Sequence, residues 1–275
     1  MFKSLLKALG LASSLILLFT FGYNTISRGQ SSTTTSVHLI LGNPSGATTS
    51  TTNSDNYLTS KRQYALSYNN SRRIPNWVSW QLNSSWLGDE RRCGNFRPDN
   101  TLRVGFRQVL PTEYRDSGFD RGHMTPSGDR TANRTDNCAT FLMTNIIPQA
   151  PDNNQGPWEK LESYSRELVE QGRELYIISG GYGTQRTIAA SRITVPERTW
   201  KVIVVLERPG LGAGVITNST RVIAVDMPNR QGIRDDSWTS FTTTVDNIEA
   251  STGYNLLSNV STPIQNVVES RVDAR

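Results

Sequence analysis

The sequence predicts an α+β fold in which helices flank a central antiparallel or mixed β-sheet. Two observations lead to this prediction. Short runs of β-favouring residues bounded by Gly, Pro, Asn or Asp recur along the chain, and two helical stretches stand among and after them. An order of strands, helix, strands and helix is typical of an α+β domain.

Six runs are expected to form strands, because each is short, rich in β-branched and aromatic residues, and closed by turn residues. They cover residues 64–68, 78–82, 140–144, 175–179, 200–206 and 221–225. The last four are apolar almost throughout, which indicates strands that are central in the sheet and buried on both faces.

Residues 157–171 carry the clearest helical pattern. Pro157 suits the first turn, where its missing N–H costs nothing, and Gly172 suits the stop. The stripe expected to face the core consists of Trp158, Leu161, Ser165, Leu168 and Val169. A second helix is expected over residues 237–252, just before Gly253.

The N-terminus has the layout of a secretory signal peptide. Lys3 and Lys7 precede an apolar run over residues 8–21, which is shorter than the roughly 20 residues of a membrane-spanning helix. We expect residues 1–29 to be removed as a signal peptide, which makes the protein secreted or periplasmic, with no stable membrane association afterwards. The alternative is an uncleaved membrane anchor.

Residues 30–56 are rich in Ser and Thr and are expected to form a linker, so that the folded domain covers residues 57–275. A short apolar interruption at residues 37–41 either begins the fold or docks on it. His38 lies in this interruption and is interpreted as an exposed or packed side chain without a chemical role.

The composition indicates a folded, soluble protein, with 36% hydrophobic and 19% charged residues. The formal charge of +5 falls to +2 without Lys3, Lys7 and Arg28, which is weak support for a nucleic-acid partner. The distribution of the charged residues along the chain is more informative about such a partner. Residues 61–130 hold twelve basic residues, eleven of them Arg, against seven acidic ones. Guanidinium groups suit phosphate binding, although a merely solvated surface gives the same count.

Two cysteines, Cys93 and Cys138, flank the segment with the chemically most informative residues. An even number of cysteines in an exported chain favours a disulfide, which would close a loop around that segment. Two unlinked buried thiols are the alternative.

His123 is the one histidine in the expected folded domain. Its ordinary pKa, about 6.5, suits a general base near neutral pH. Asp120, Arg121 and Gly122 precede it, so that a phosphate binder stands beside a proton acceptor. By itself this is no more than suggestive, since a single histidine is commonly structural.

Further along, Asn154, Glu162 and Arg166 follow one another at intervals of eight and four residues. Glu162 and Arg166 share one helix face, and Asn154 projects to the same side if the helix begins there. Such a face offers an amide oxygen, a carboxylate and a guanidinium. A surface ion pair beside a capping Asn would account for the same residues.

Taken together, these segments resemble the DNA/RNA non-specific endonucleases, which have a ββα-metal (His-Me) site. The resemblance rests on DRGHM at residues 120–124 with Gly128, and on TNIIPQ at residues 144–149 followed by Asn154 and the helix with Glu162 and Arg166. Flanking stretches at 64–69, 76–80, 195–196 and 200–202 also fit, so that it extends over roughly residues 57–250.

The resemblance implies a role for each residue. His123 would be the general base that deprotonates the attacking water, and Asn154 the one direct protein ligand of a Mg²⁺ or Mn²⁺ ion. Glu162 would hold the water ligands of that ion. The phosphate and its developing charge would be bound by Arg92, Arg121 and Arg166. Asp120 would orient the loop or the histidine.

The implied activity is hydrolysis of DNA and RNA to 5′-phosphate ends. Contacts made only to phosphates carry no base information, so no sequence preference is expected. Alternatives are a narrower phosphodiester substrate, or an exported nucleic-acid-binding protein without turnover. The chain lacks a Gly-x-Ser-x-Gly elbow and has too few Cys and His for a usual zinc site. A proteinaceous inhibitor would be a sensible safeguard for a cell that makes an active nuclease.

Overall fold

Ten strands and five α-helices form the folded part of the chain in a computed structural model, which describes residues 36–190 and 192–274. The strands are β1 (Tyr57–Ser60), β2 (Ala65–Asn69), β3 (Ile74–Leu82), β4 (Asp120–His123), β5 (Ile146–Gln149), β6 (Glu174–Tyr182), β7 (Arg186–Ile188), β8 (Ile193–Val195), β9 (Arg198–Leu206) and β10 (Arg221–Pro228). The helices are α1 (Arg134–Ala139), α2 (Pro151–Asn154), α3 (Pro157–Glu170), α4 (Val245–Thr252) and α5 (Thr262–Val268).

The central element is a six-stranded sheet in the order β1-β2-β3-β6-β9-β10, and every neighbouring pair is antiparallel. Two small two-stranded sheets, β4 with β5 and β7 with β8, accompany it. The predicted α+β architecture around an antiparallel sheet is therefore confirmed. The central position expected for residues 175–179 and 200–206 is also confirmed, whereas β10 lies at the edge.

Apolar residues cover both faces of the large sheet and give the domain three layers. On one face, Trp80, Ile177 and Ile203 pack with Trp158 and Leu161 of α3. Each such buried large apolar side chain stabilises the fold by about 1.5–3 kcal/mol. The complete predicted stripe of α3 is buried, so this helix confirms its predicted orientation.

The opposite face carries a second apolar layer, in which Trp77, Ile178 and Val202 pack with Val245 and Ile248 of α4. Successive strand residues point to opposite faces, which explains why Ile177 and Ile178 belong to different layers. Strands that are buried on both sides carry no polar alternation, as the sequence of the central strands shows.

The expected strand at residues 140–144 is wrong. These residues leave α1 and enter a 3₁₀ turn at Met143–Asn145, and backbone bonds from Thr140 to Asn137 and from Asn145 to Leu142 close the turns. Phe141 and Met143 are buried, and a short apolar run has no period that separates a strand from core-facing turns. The strand, β5, begins only at residue 146.

The helix expected over residues 237–252 is divided in two. A 3₁₀ turn at Trp238–Phe241 is separated from α4 because Thr243 donates its N–H to the carbonyl of Ala224 in β10. Thr244 then caps α4 by accepting from the backbone N–H of Asn247 at 3.1 Å. The chain thus docks on the sheet edge before the helix starts.

The linker expected at residues 30–56 is wrong for its described part, which begins at residue 36. Val37–Leu39 form a 3₁₀ turn, and His38 and Leu41 are buried against the domain. His38 lies between two backbone groups, with Nε2 2.7 Å from the carbonyl of Arg62 and Nδ1 accepting from Gln81 N–H at 3.1 Å.

The expected signal peptide, residues 1–29, lies outside the described residues. None of the described helices is long and apolar enough to cross a membrane.

Candidate active site

Most of the predicted functional residues lie on the short antiparallel pair of β4 and β5 and on the helices α2 and α3 that follow it. β4 consists of the four residues Asp120 to His123, and His123 is paired with Ile146 in β5. Gly122 allows this close pairing, because a Cβ atom at this position would come within 2.2 Å of Oε1 of Gln149. The glycine of the motif is thus required by packing between the two strands.

His123 sits at the floor of a cleft and is 8% exposed. Its ring packs against Phe96 and Phe141, with ring centroids 5.3 and 4.9 Å apart. Burial, followed by the positive charge of Arg92, lowers the pKa of His123 to about 3. Its Nε2 atom has no hydrogen-bond partner among the described residues. The imidazole is therefore neutral near pH 7, and an anionic phosphate in the cleft would raise its pKa towards neutrality.

Asn154 ends α2 and lines the same cleft. Its Nδ2 atom donates to Oδ2 of Asp120 at 2.9 Å, and Nε2 of Gln155 donates to the same oxygen at 2.7 Å. Because Asp120 holds the NH₂ end of the Asn154 amide, the carbonyl end is left to face a ligand. Asp120 thus contacts the amide of Asn154. From the sequence it was expected to orient the loop or the histidine.

Buried amides fix α2 on the large sheet. Asn153 donates to Oγ1 of Thr199 at 3.0 Å and to the carbonyl of Pro228 at 2.9 Å. Asn229 accepts from the N–H of Ala150 at 2.7 Å and donates to two carbonyls, those of Pro148 and Pro196. The position of Asn154 is therefore set by residues from β9 and from the end of β10.

Glu162 and Arg166 lie on α3, but Asn154 does not belong to the same helix. The chain leaves α2 at Gln155 and turns at Gly156, where a Cβ atom would lie 2.3 Å from the carbonyl oxygen of Asp152. The condition that the helix begins at Asn154 is thus not met. The three side chains nevertheless line one cleft, because the turn returns the chain beside α2.

Glu162 joins the cleft to the interior of the domain. Its carboxylate oxygen Oε1 lies 3.6 Å from Nζ of Lys201, a residue of β9 whose side chain is 1% exposed. Burial raises the pKa of Glu162 to about 7, and the nearby Lys201 opposes this rise. The Lys201 ammonium also lies 4.0 Å from the ring centroid of Trp158, a favourable cation–π distance. Lys201 was not predicted from the sequence as a residue of the site.

The three predicted arginines line the cleft, and each is held by a different neighbour. Nη1 of Arg92 donates to Oγ of Ser127 at 2.6 Å, and the Arg121 guanidinium stacks 4.7 Å from the ring centroid of Phe96. Arg166 is 3.2 Å from Oδ1 of Asp129, a buried carboxylate. These positions give the cleft wall a positive charge that suits a phosphodiester backbone.

Gly128 and the disulfide shape the same wall. A Cβ atom on Gly128 would lie 2.9 Å from Nη1 of Arg166, so the glycine gives the guanidinium room to cross the loop. Cys93 and Cys138 are bridged, and the N–H of Cys93 donates to Oδ1 of Asn137 at 2.8 Å. The predicted disulfide is confirmed and ties the segment with Arg92 to α1.

The cleft has a volume of about 600 Å³ and brings together six of the seven predicted residues, with Asp120 directly behind Asn154. Six further residues line the cleft: Pro126, Ser127 and Gly128 of the loop after His123, and Gln155, Glu159 and Arg234, to which no role was assigned from the sequence. Glu159 and Gln155 lie within the motif segment and could have been found from their place beside Asn154. Arg234 comes from a loop after β10 and has no signal in the sequence.

The donor set of the cleft fits a hard divalent cation. It offers the amide oxygen of Asn154, and the carboxylate of Glu162 lines the same cleft. Oxygen donors of this kind suit Mg²⁺ and Mn²⁺, whereas a zinc site requires a richer set of nitrogen or sulfur ligands. Asn154 would bind such an ion directly, and Glu162 would hold its water ligands.

Comparisons with known proteins show the family of the chain. The model of the DNA/RNA non-specific endonuclease family matches residues 41–263. This chain belongs to that family. It is a hydrolase that acts as an endonuclease, and the family is metal-dependent.

Individual members of the endonuclease family resemble the chain over most of its length. A nuclease of Nostoc sp. strain PCC 7120 is 56% identical over 238 residues, which cover 86% of each protein. Human mitochondrial endonuclease G is 30% identical over 218 residues, 74% of this chain and 70% of that protein. The fold is similar to that in the crystal structure of the EndoG/EndoGI complex, with a TM-score of 0.68 and 25% identity over 82% of this chain and 91% of that one.

Proposed function

We propose that this endonuclease is exported and hydrolyses phosphodiester bonds in DNA and RNA without sequence specificity, leaving 5′-phosphate ends. The observation that carries the proposal is the meeting of His123, Asn154 and Glu162 in one arginine-lined cleft. His123 accepts the proton of the attacking water, for which a neutral imidazole that lines the cleft is suited. A positioned base of this kind contributes about 10²–10⁴-fold to the rate.

A Mg²⁺ or Mn²⁺ ion bound at Asn154 would supply Lewis-acid stabilisation of the phosphate and of the departing 3′ oxygen. Asp120 keeps the Asn154 amide turned towards the cleft, and Glu162, which lines the same cleft, would hold the water ligands of the ion. Arg92, Arg121 and Arg166 bind the phosphate and the negative charge that develops on it. These contacts address phosphate oxygens alone, so neither the base nor the sugar is selected.

Export is supported by the basic and apolar N-terminal sequence and by the Cys93–Cys138 disulfide, a bond typical of oxidising compartments. Expression of the full chain should give a protein outside the cytoplasm whose new N-terminus falls between about residues 22 and 31. An N-terminus that retains residues 1–21 would instead support a membrane anchor.

A proteinaceous inhibitor is a further part of the proposal. The similar EndoG chain was crystallised with EndoGI in a study of EndoG inhibition. The arginine-lined cleft of this chain would accept an acidic side chain of an inhibitor for the same reason that it accepts a phosphate.

The deciding experiment incubates the purified protein with supercoiled plasmid and with ribosomal RNA, each with Mg²⁺, with Mn²⁺ and with EDTA. Loss of both substrates only when metal is present is the expected result, and sequencing of the products should show 5′-phosphates at many different bases. Degradation of one substrate alone would narrow the substrate and keep the mechanism. A folded protein that binds but never cleaves would establish the alternative, a nucleic-acid-binding protein without turnover.

A further inference from the structure

Three carboxylates converge on the sheet face opposite to α3. Asp246 and Glu249 lie three residues apart in α4, and Glu269 directly follows α5. One carboxylate oxygen from each lies within 4.8 Å of the others. The backbone fixes this arrangement, because the N–H of Asp246 donates to the carbonyl of Glu269 at 3.2 Å.

Glu269 is the unusual member of this group. It is 5% exposed, and its Oε1 atom is buried without a hydrogen-bond partner among the described residues. An unsatisfied buried carboxylate oxygen is costly, and native proteins rarely keep one without a partner or an ion. The charged groups that shift its pKa, after burial itself, are Glu249 and Asp246, and both raise it, to about 7. The carboxylate thus faces negative charge where a cation is expected.

We propose that Asp246, Glu249 and Glu269 form a binding site for Ca²⁺, separate from the catalytic cleft. The three oxygens lie within 4.8 Å of one another, so a single ion can contact all three. Ca²⁺ takes six to eight oxygen ligands in flexible geometry, with carboxylates prominent among them. Mg²⁺ demands near-ideal octahedral geometry and is usually bound through only one or two carboxylates. A group of three carboxylates therefore favours calcium over magnesium.

The remaining contacts give the site rigidity and access. Oε1 of Glu249 accepts the N–H of Leu256 at 2.6 Å, which holds that side chain in place and leaves its other oxygen for the ion. Asp246 is exposed, so water reaches the site and completes the six to eight ligands of Ca²⁺.

Bound calcium joins α4 to the end of α5 and so holds the C-terminal segment on the sheet. That segment carries Asp273, which pairs with Arg221 of β10 at 2.7 Å. The ion has no part in the chemistry of the cleft, and the site stands whether or not the proposed reaction is right. Its effect is on stability, in proportion to the calcium concentration.

The test uses CaCl₂ as the probe and an Asn154→Ala background, which removes the ligand expected to bind metal in the cleft. Calorimetric titration of this protein should show one bound Ca²⁺, and saturating Ca²⁺ should raise Tm by roughly 5 °C. Adding Glu269→Gln should abolish both effects. Asp246→Asn, at an exposed position, should weaken Ca²⁺ binding at least about tenfold, by analogy with the loss of other ligand-supporting groups.

The Glu269→Gln variant should also differ from the parent in its stability without calcium. Without calcium it should be more stable than the parent at pH 8, since it removes an unpaired buried charge, while it no longer responds to calcium. Asp235→Asn, at an exposed carboxylate away from the cluster, is the matched control and should leave binding unchanged. The proposal is overturned if the Asn154→Ala protein binds no Ca²⁺ up to about 10 mM, which is about tenfold above the weakest dissociation constants of protein calcium sites. Binding that survives both cluster substitutions, or Mg²⁺ binding of equal strength, overturns it as well.

Discussion

Nζ of Lys201 lies 3.6 Å from Oε1 of Glu162, and this contact links the arginine-lined cleft to the centre of the large sheet. Lys201 is fully buried, and its ammonium has Trp158 as its other near neighbour. A charged pair at this depth sets both the direction and the ionisation of the carboxylate.

Replacement of Lys201 by Met should shift the pH dependence of cleavage. Without the ammonium, the pKa of Glu162 rises further above its present value of about 7, so the carboxylate is protonated at neutral pH. We expect kcat/KM at pH 7 to fall about tenfold or more and to recover as the pH rises, since one pKa unit corresponds to tenfold. Ile203→Met, on the same strand and face, should leave the profile unshifted. An equal loss at every pH would mean that Lys201 acts through packing alone.

His123→Ala should abolish turnover while the protein stays folded. The substitution removes the proton acceptor, and we expect a loss of about 10²–10⁴-fold in plasmid cleavage at saturating Mg²⁺. Circular dichroism and thermal unfolding report on the fold. His38→Ala is the matched control, because His38 is the only other histidine and lies outside the cleft. It should lower Tm and keep the rate per folded molecule. Wild-type rates from His123→Ala would exclude it as the base.

Asp120→Ala should affect the metal requirement more than the maximal rate. The Asn154 amide loses the acceptor that fixes its orientation, so the concentration of Mg²⁺ for half-maximal activity should rise about 10–100-fold. Titration of activity with Mg²⁺ measures this directly. Asp89→Ala, at an exposed acid, serves as the control for loss of charge. An unchanged Mg²⁺ requirement would contradict a positioning role for Asp120.

The disulfide should stabilise the domain and hold Arg92. A loop of 45 residues predicts a loss of about 4 kcal/mol in the free energy of unfolding for a Cys93→Ser/Cys138→Ser variant, from the chain-entropy relation. Urea unfolding gives this value, and KM for plasmid should rise because the segment with Arg92 is released. A variant as stable as the parent would show that the reduced chain keeps the same constraint.

His38 should make stability depend on pH. Burial lowers the pKa of His38 from 6.5 to about 4. Between these values the unfolded chain binds a proton and the folded chain does not, so stability falls as the pH drops from 6.5 to 4, by up to about 3 kcal/mol. The stability difference between the parent and His38→Gln should therefore be smaller at pH 4.5 than at pH 8. A constant difference would contradict the neutral, buried state of His38.

Much of the fold was predictable from local sequence. The predictions that failed concern short segments whose structure depends on contacts with distant parts of the chain. The central strands and α3 are long apolar or periodic patterns, and they lie where predicted. β4 was not predicted, because its sequence, DRGH, has neither an alternation of polar and apolar residues nor β-favouring residues. It becomes a strand only by pairing with β5. Residues 140–144 were assigned a strand because burial alone makes a short segment apolar.

The site shows the same division. The cleft residues of the motif segments were identified from spacing and resemblance, and they converge in the structure. The contact of Asp120 with Asn154 depends on how α2 is docked, which no spacing encodes. Lys201 carried a signal that was not used, since a single charged residue inside the apolar run 200–206 requires a buried partner.

The amide anchors of α2 are completed late in the chain. Asn153 is held by Thr199 and Pro228, and Asn229 is held by Pro148 and Pro196. A polypeptide of only the first 190 residues contains every group of the motif segments and Asn153, but it lacks Thr199, Pro228 and Asn229. Such a fragment is without the contacts that hold α2 on the large sheet, and we expect it to have no assembled cleft.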